Sequence, residues 1–220
     1  MDLRKWIGWI FDQPVPEPSL YWNQEELGPL DPDAGALAAV SSLFENPTVL
    51  LPYSDAQLSQ GFWFLCGAES NLMRGLGNES IPWEARVRLI RSFSSLYREL
   101  FMARCTHHLS HLIRGHCAEA LEISPLNSPC YMWWDFDCWV ASPDHPLYRK
   151  LDAEYLEVMR QTLALPHDAC REGALHGLGH WHRAYPRETT AIIDQFLDRN
   201  KNIREDLRSY AMAARCGCVL

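Results

Sequence analysis

From residue 147 to the C-terminus the chain reads as four helices separated only by tight turns, and no other feature restricts the fold as strongly. The first runs from Leu147 to Leu165 and stops at Pro166. Asp168 caps the second, which extends to about Arg183. Pro186 starts the third, which carries Ile192, Ile193, Phe196 and Leu197. Asn202 with Glu205 caps the fourth, whose inward residues are Ile203, Leu207, Tyr210, Ala211 and Ala214. Connections of a few residues force consecutive helices to reverse direction. The two-residue alternation of strands is missing from this half, so the fold class expected is all-α, built of stacked antiparallel helices.

The first half is less regular but carries the same signal. Leu3, Trp6, Ile7, Ile10 and Phe11 form an amphipathic helical stripe, too short to span a bilayer and without a signal-peptide cleavage site. Docking onto the body of the protein accounts for it better than membrane contact. Pro14, Pro16 and Pro18 then favour an extended tether to about residue 33, with Asp31 read as the cap of the next helix, along which Leu37, Val40 and Phe44 form the stripe. Ser54 with Gln57 is a capping box opening a helix to Met73. From Ser80 an apolar pattern continues for about forty residues, which reads as a long central helix with neighbours on more than one side. One domain over residues 1–220 is the expectation, with 147–220 as its stacked helix pairs.

The helix lengths, tight turns and the starts at Asp168 and Pro186 resemble HEAT-like repeats, in which helix pairs stack as an α-solenoid. The segments GALHGLGHWHRAYP and DLRSYAMAARCGC are similar to those of an uncharacterised bacterial group. The resemblance implies a solenoid in the C-terminal half and no particular chemistry.

Composition excludes several functions. With 47% hydrophobic and 22% charged residues the chain is neither disordered nor membrane-embedded, and a net charge of −8 disfavours nucleic-acid binding. An acidic chain of this kind suits a basic protein partner. Eight scattered cysteines without a CxxC pair read as reduced thiols of a cytoplasmic protein. GxSxG, P-loop, GxGxxG and HExxH motifs are all missing, so no catalytic residue is named.

Three groups carry candidate chemistry. At 100° per residue the helix over 168–183 puts Ala174, Leu178, Trp181 and Tyr185 on one face and Glu172, His176, His180 and Arg183 on the other. The polar stripe reads as structural histidines or a partner contact. Its alternative is a zinc site of His176, His180 and Glu172, although Gly177 and Gly179 weaken the helix and signal a close neighbour instead. Cys105, His107, His108, His111, His116 and Cys117 suit zinc by type but lack a recognised spacing. Trp133, Trp134, Asp135, Phe136, Asp137 and Trp139 lie between proline breaks and read either as aromatic anchors with acids that select a basic partner, or as a plug within the stack. The function expected is therefore a non-catalytic protein-binding module without a cofactor, of the bacterial immunity type that blocks a toxin sterically. Trp133, Trp134, Asp135, Asp137, Glu172, His176, His180 and Arg183 are its contact residues, and a metal-dependent enzyme is the rival.

Overall fold

The computed structural model describes residues 3–15, 32–67, 70–112, 122–136 and 139–219, and every regular element among them is helical. The order is α1 (Leu3–Phe11), α2 (Ala34–Glu45), α3 (Asp55–Cys66), α4 (Trp83–Leu96), α5 (Met102–Arg104), α6 (Asn127–Phe136), α7 (Tyr148–Leu163), α8 (Asp168–Trp181), α9 (Pro186–Arg199) and α10 (Glu205–Arg215), with short 3₁₀ turns between several of them. None of these helices is long and apolar enough to cross a membrane.

Local chemistry explains where the elements begin and end. The stripe of α1 is buried at Trp6, Ile7, Ile10 and Phe11, and the helix docks on α3. Asp33, not Asp31, caps α2 by accepting the Ala36 amide at 2.7 Å, while residues 16–31, which include most of the proposed tether, lie outside the described residues. Ser54 and Gln57 form the expected capping box. The helix expected to reach Met73 stops at Cys66. Ser70 donates its hydroxyl to the Leu65 carbonyl at 2.6 Å, and Asn71 turns left-handed (φ 56°) before a 3₁₀ segment over Leu72–Gly77.

The long central helix is shorter than its apolar pattern. It spans 83–104, as α4, a π-helical turn over Tyr97–Phe101, and α5. Cys105 is already extended, and beyond it the Thr106 amide and carbonyl bond the Asn127 side chain, both at 3.0 Å, instead of continuing the helix. The aromatic run expected to be irregular is helix α6, with Pro129 in its first turn, where an amide has no partner to lose. Pro186 opens α9 as expected. His167 occupies the cap position of α8 with Asp168 in its first turn, and α10 starts at Glu205 after Arg204 rather than at Asn202.

In the C-terminal half, α8 packs on α6 and α10 to make one row, and α9 packs on α7 to make a second row against it. Further contacts run from α7 to α4 and from α4 to α2. A single core runs from Trp6 to Ala214, so the two halves share one interior. At its centre the fully buried Trp133 ring meets Phe44, Phe93, Tyr97 and Phe101 edge to face. Cys66, Cys105, Cys130 and Cys170 are buried in this core.

Candidate functional site

Close approach of α6 to α8 builds the site. A Cβ on Gly177 would fall 2.5 Å from Cγ of Trp134, and one on Gly173 would collide with the Cys130 carbonyl oxygen. That oxygen also accepts the Tyr97 hydroxyl at 2.7 Å, which itself lies against Gly173. The missing side chains let α6 settle onto α8, and the residue after Trp134, Asp135, comes level with His176 and His180. Gly177 thus marks the close helix expected from the sequence, whereas Gly179 is covered by Val219 of the segment after α10 and not by a helix.

Three ligand atoms converge there. Asp135 Oδ2 lies 2.9 Å from His176 Nε2 and 3.4 Å from His180 Nε2, and the two imidazole nitrogens are 3.2 Å apart. It is the one group of three His, Cys, Asp or Glu among the described residues whose ligand atoms all lie within 4.8 Å of one another. A tetrahedral ion with bonds of about 2.0–2.1 Å has edges of about 3.3–3.4 Å, so the triangle fits the face of such a polyhedron with little movement. Burial holds the His180 pKa below its usual value, opposed by Asp135 and assisted by His176, which keeps a lone pair on the ring.

Behind the triangle the polar groups continue inward. His176, 1% exposed, places Nδ1 2.8 Å from the Tyr210 hydroxyl, which lies 2.9 Å from the Tyr131 hydroxyl. Burial raises both phenol pKa values, so both remain protonated. With an ion on Nε2 the Nδ1 proton is donated to Tyr210, the outer contact that fixes a metal-bound imidazole. Without one, Nε2–H is donated to Asp135 and Nδ1 accepts from the phenol.

In front of the triangle lies a cleft of about 580 Å³, lined by Trp134, Asp135, Trp139, Val140, His180 and Arg183 among others. Its outer wall, residues 139–142, is held by Asp152, a fully buried carboxylate that accepts from Trp139 Nε1, the Ser142 amide and the Tyr185 hydroxyl, each at 2.7 Å. The sequence offered no sign of Asp152, Tyr131 or Tyr210 as a group, because their partners lie far away in the chain.

Several expectations need correction. Glu172 is not beside the histidine pair as a ligand; it is fully buried and accepts from the Ser110 amide (2.7 Å), the His111 amide (2.9 Å) and His111 Nδ1 (2.6 Å). Asp135, from another helix, takes its place. The polar stripe is not a surface either, since Glu172 and His176 are enclosed and only His180 and Arg183 are exposed. Trp133 and Trp134 are core residues, because α6 runs through the interior, so they are not exposed anchors; Asp137 lies outside the described residues. The second histidine cluster is dispersed: His111 serves Glu172, His108 bonds Thr106, His107 stacks on His167, and His116 and Cys117 lie outside the described residues. In comparison with known proteins, no family model, no curated protein and no solved structure matches this chain.

Proposed function

We propose that the chain binds a divalent metal ion of the zinc class through Asp135, His176 and His180 and uses it as a hydrolytic centre. The observation that carries this reading is the spacing of 2.9, 3.2 and 3.4 Å among three ligand atoms whose open side faces a cleft. Three protein ligands with a position left for water are the arrangement of catalytic rather than structural zinc, and an ion held there would supply a water that ionises near neutral pH. Indole and methyl surfaces in the cleft suit an apolar acyl or aryl group, and Arg183 at its rim suits an anionic one.

Titration of metal-stripped protein with zinc tests it. Wild type takes up an ion that Asp135→Asn and His180→Ala fail to take up, and only the loaded wild type hydrolyses p-nitrophenyl esters or bis(p-nitrophenyl) phosphate. Equal zinc uptake by all three proteins overturns the proposal. The two variants alter side chains with 25% and 41% exposure, so the fold tolerates them.

A protein-binding role is a second reading, of the immunity type expected from sequence. It is favoured by Val140, 77% exposed on the lip of the same cleft beside Asp135. Here Asp135 would meet a basic group of the partner, and Val140→Glu would abolish the complex while leaving zinc uptake intact.

A further inference from the structure

One wall of the cleft in front of the triangle is held in place before anything binds. Trp139 donates its Nε1 proton to the buried Asp152 carboxylate at 2.7 Å and lies parallel to the Tyr155 ring, with 6.0 Å between centroids. Tyr155, itself buried, also meets Trp181, the residue after His180, at 5.4 Å. The two indoles that line the cleft are thus linked through one ring, and Val140 and Ala141 add aliphatic surface. A preformed apolar surface of this kind binds an apolar group without first having to order itself.

Arg183 brings the opposite chemistry to the same cleft. It is exposed and has no carboxylate partner among the described residues, whereas Arg88, Arg91 and Arg215 are each paired with an acid. The chain turns once more after α8, the His182 amide bonding the Gly179 carbonyl at 3.2 Å and the Ala184 amide the Trp181 carbonyl at 3.0 Å. Arg183 therefore stands one turn beyond His180, and residues three apart in a helical turn have Cβ atoms about 5–6 Å apart. An extended residue spans about 3.3–3.6 Å, so a molecule that offers a carbonyl to the triangle and a carboxylate to the guanidinium needs little more than one amino-acid unit between them.

We propose that the substrate is an N-acylated α-amino acid with an apolar side chain and a free carboxylate, an inference that rests on the hydrolytic reading of the triangle given above. Arg183 takes the carboxylate as a bidentate pair, the surface of Trp139 and Trp181 takes the side chain, and the acyl carbonyl lies at Asp135, His176 and His180. Water adds across the amide: its hydroxyl goes to the acyl carbon, the C–N bond breaks, and its proton goes to the departing nitrogen. The products are the acyl acid and the free amino acid. A cleft of about 580 Å³ suits a molecule of this size. A phosphate monoester fits less well, because its anionic and reacting atoms coincide at the triangle and leave Arg183 unused.

Binding and hydrolysis are measured separately on the full-length protein. In chelator, N-acetyl-L-leucine and N-acetyl-L-leucinamide, which differ in charge but hardly in shape, are titrated and read by the fluorescence of the cleft tryptophans. Wild type is expected to bind the acid about 10-fold more tightly, the low end for a hydrogen bond to a charged group because the guanidinium is exposed. Arg183→Ala is expected to lose that preference, and Arg183→Lys to keep part of it. After zinc loading, wild type is expected to release leucine from the acid, with a KM that rises about 10-fold in Arg183→Ala while zinc uptake stays the same. Equal affinity for acid and amide, a preference that survives Arg183→Ala, or no binding of either overturns the proposal. So does a zinc-loaded wild type that cleaves p-nitrophenyl esters or bis(p-nitrophenyl) phosphate but not N-acetyl-L-leucine, a result that leaves the metal reading standing. Failure of wild type to take up zinc removes the metal reading and the hydrolysis with it, whichever ligand binds, so the two failures are told apart by the zinc titration.

Discussion

Replacing Glu172 by alanine removes the acceptor for three donors at once. The Ser110 amide, the His111 amide and His111 Nδ1 lie 2.7, 2.9 and 2.6 Å from its oxygens, and the carboxylate has no exposure to water. Hydrogen bonds to charged groups contribute about 1.5–3 kcal/mol each, so a simple sum would be about 4.5–9 kcal/mol. The sum overstates the effect, because the three bonds share one carboxylate and the loop over residues 109–112 can turn partly to solvent. Removing one partner from a buried ionic contact costs about 3–5 kcal/mol, which is the value expected here. For a chain of this length each kcal/mol moves the midpoint by about 2–4 °C, so a loss of about 3–5 kcal/mol should lower Tm by roughly 6–20 °C. Glu172→Gln, which keeps one acceptor oxygen but turns an amide donor toward the amides, should lose less, about 2 kcal/mol. The measurement is urea unfolding followed by tryptophan fluorescence, in the presence of a chelator so that bound metal adds nothing. A loss below about 1 kcal/mol in chelator would refute the reasoning. A loss that appears only when zinc is present would make Glu172 a ligand after all.

Gly173→Ala should destabilise by about 1–3 kcal/mol in the same unfolding assay, because its Cβ meets the Cys130 carbonyl and that collision outweighs the gain of about 1 kcal/mol in helix propensity. Tyr210→Phe removes the hydroxyl 2.8 Å from His176 Nδ1 and should weaken zinc binding in the cleft about 10–100-fold by isothermal titration. Trp133→Ala should cost about 3–5 kcal/mol by emptying the centre of the aromatic core. Arg88→Ala, which breaks an exposed pair with Glu45, should cost less than about 1 kcal/mol in that assay, and a larger loss would show that surface pairs matter more here than screening allows.

Particular residues show how much of this was legible in the chain. The caps Ser54, Gln57 and Pro186, the inward stripes of α1, α2 and α10, and the close contact at Gly177 all follow from rules acting over a few residues, and each was readable. His176 and His180 were also visible as a pair one turn apart. Their third partner was assigned to Glu172, four residues before His176, because sequence spacing ranks neighbours on the same helix first. The run around Asp135 and Trp134 does not look helical, so its sequence leaves open whether it anchors a basic partner or plugs the stack, and the burial of Trp133 and Trp134 agrees with the second. The end of the central helix was missed for a related reason: Asn127 competes for the Thr106 backbone from more than twenty residues away.

By itself the sequence determined the all-helical class, the reversal of direction at each short connection and which face of most helices is apolar, since these depend on local propensity, capping and 3.6-residue periodicity. Only the tertiary structure decided what the polar residues do. The packing of α6 on α8 at two glycines turns Asp135 toward a histidine pair, and the fold sends Glu172 to a loop. A buried polar group must find partners wherever the fold supplies them, and in this chain most of those partners come from other helices.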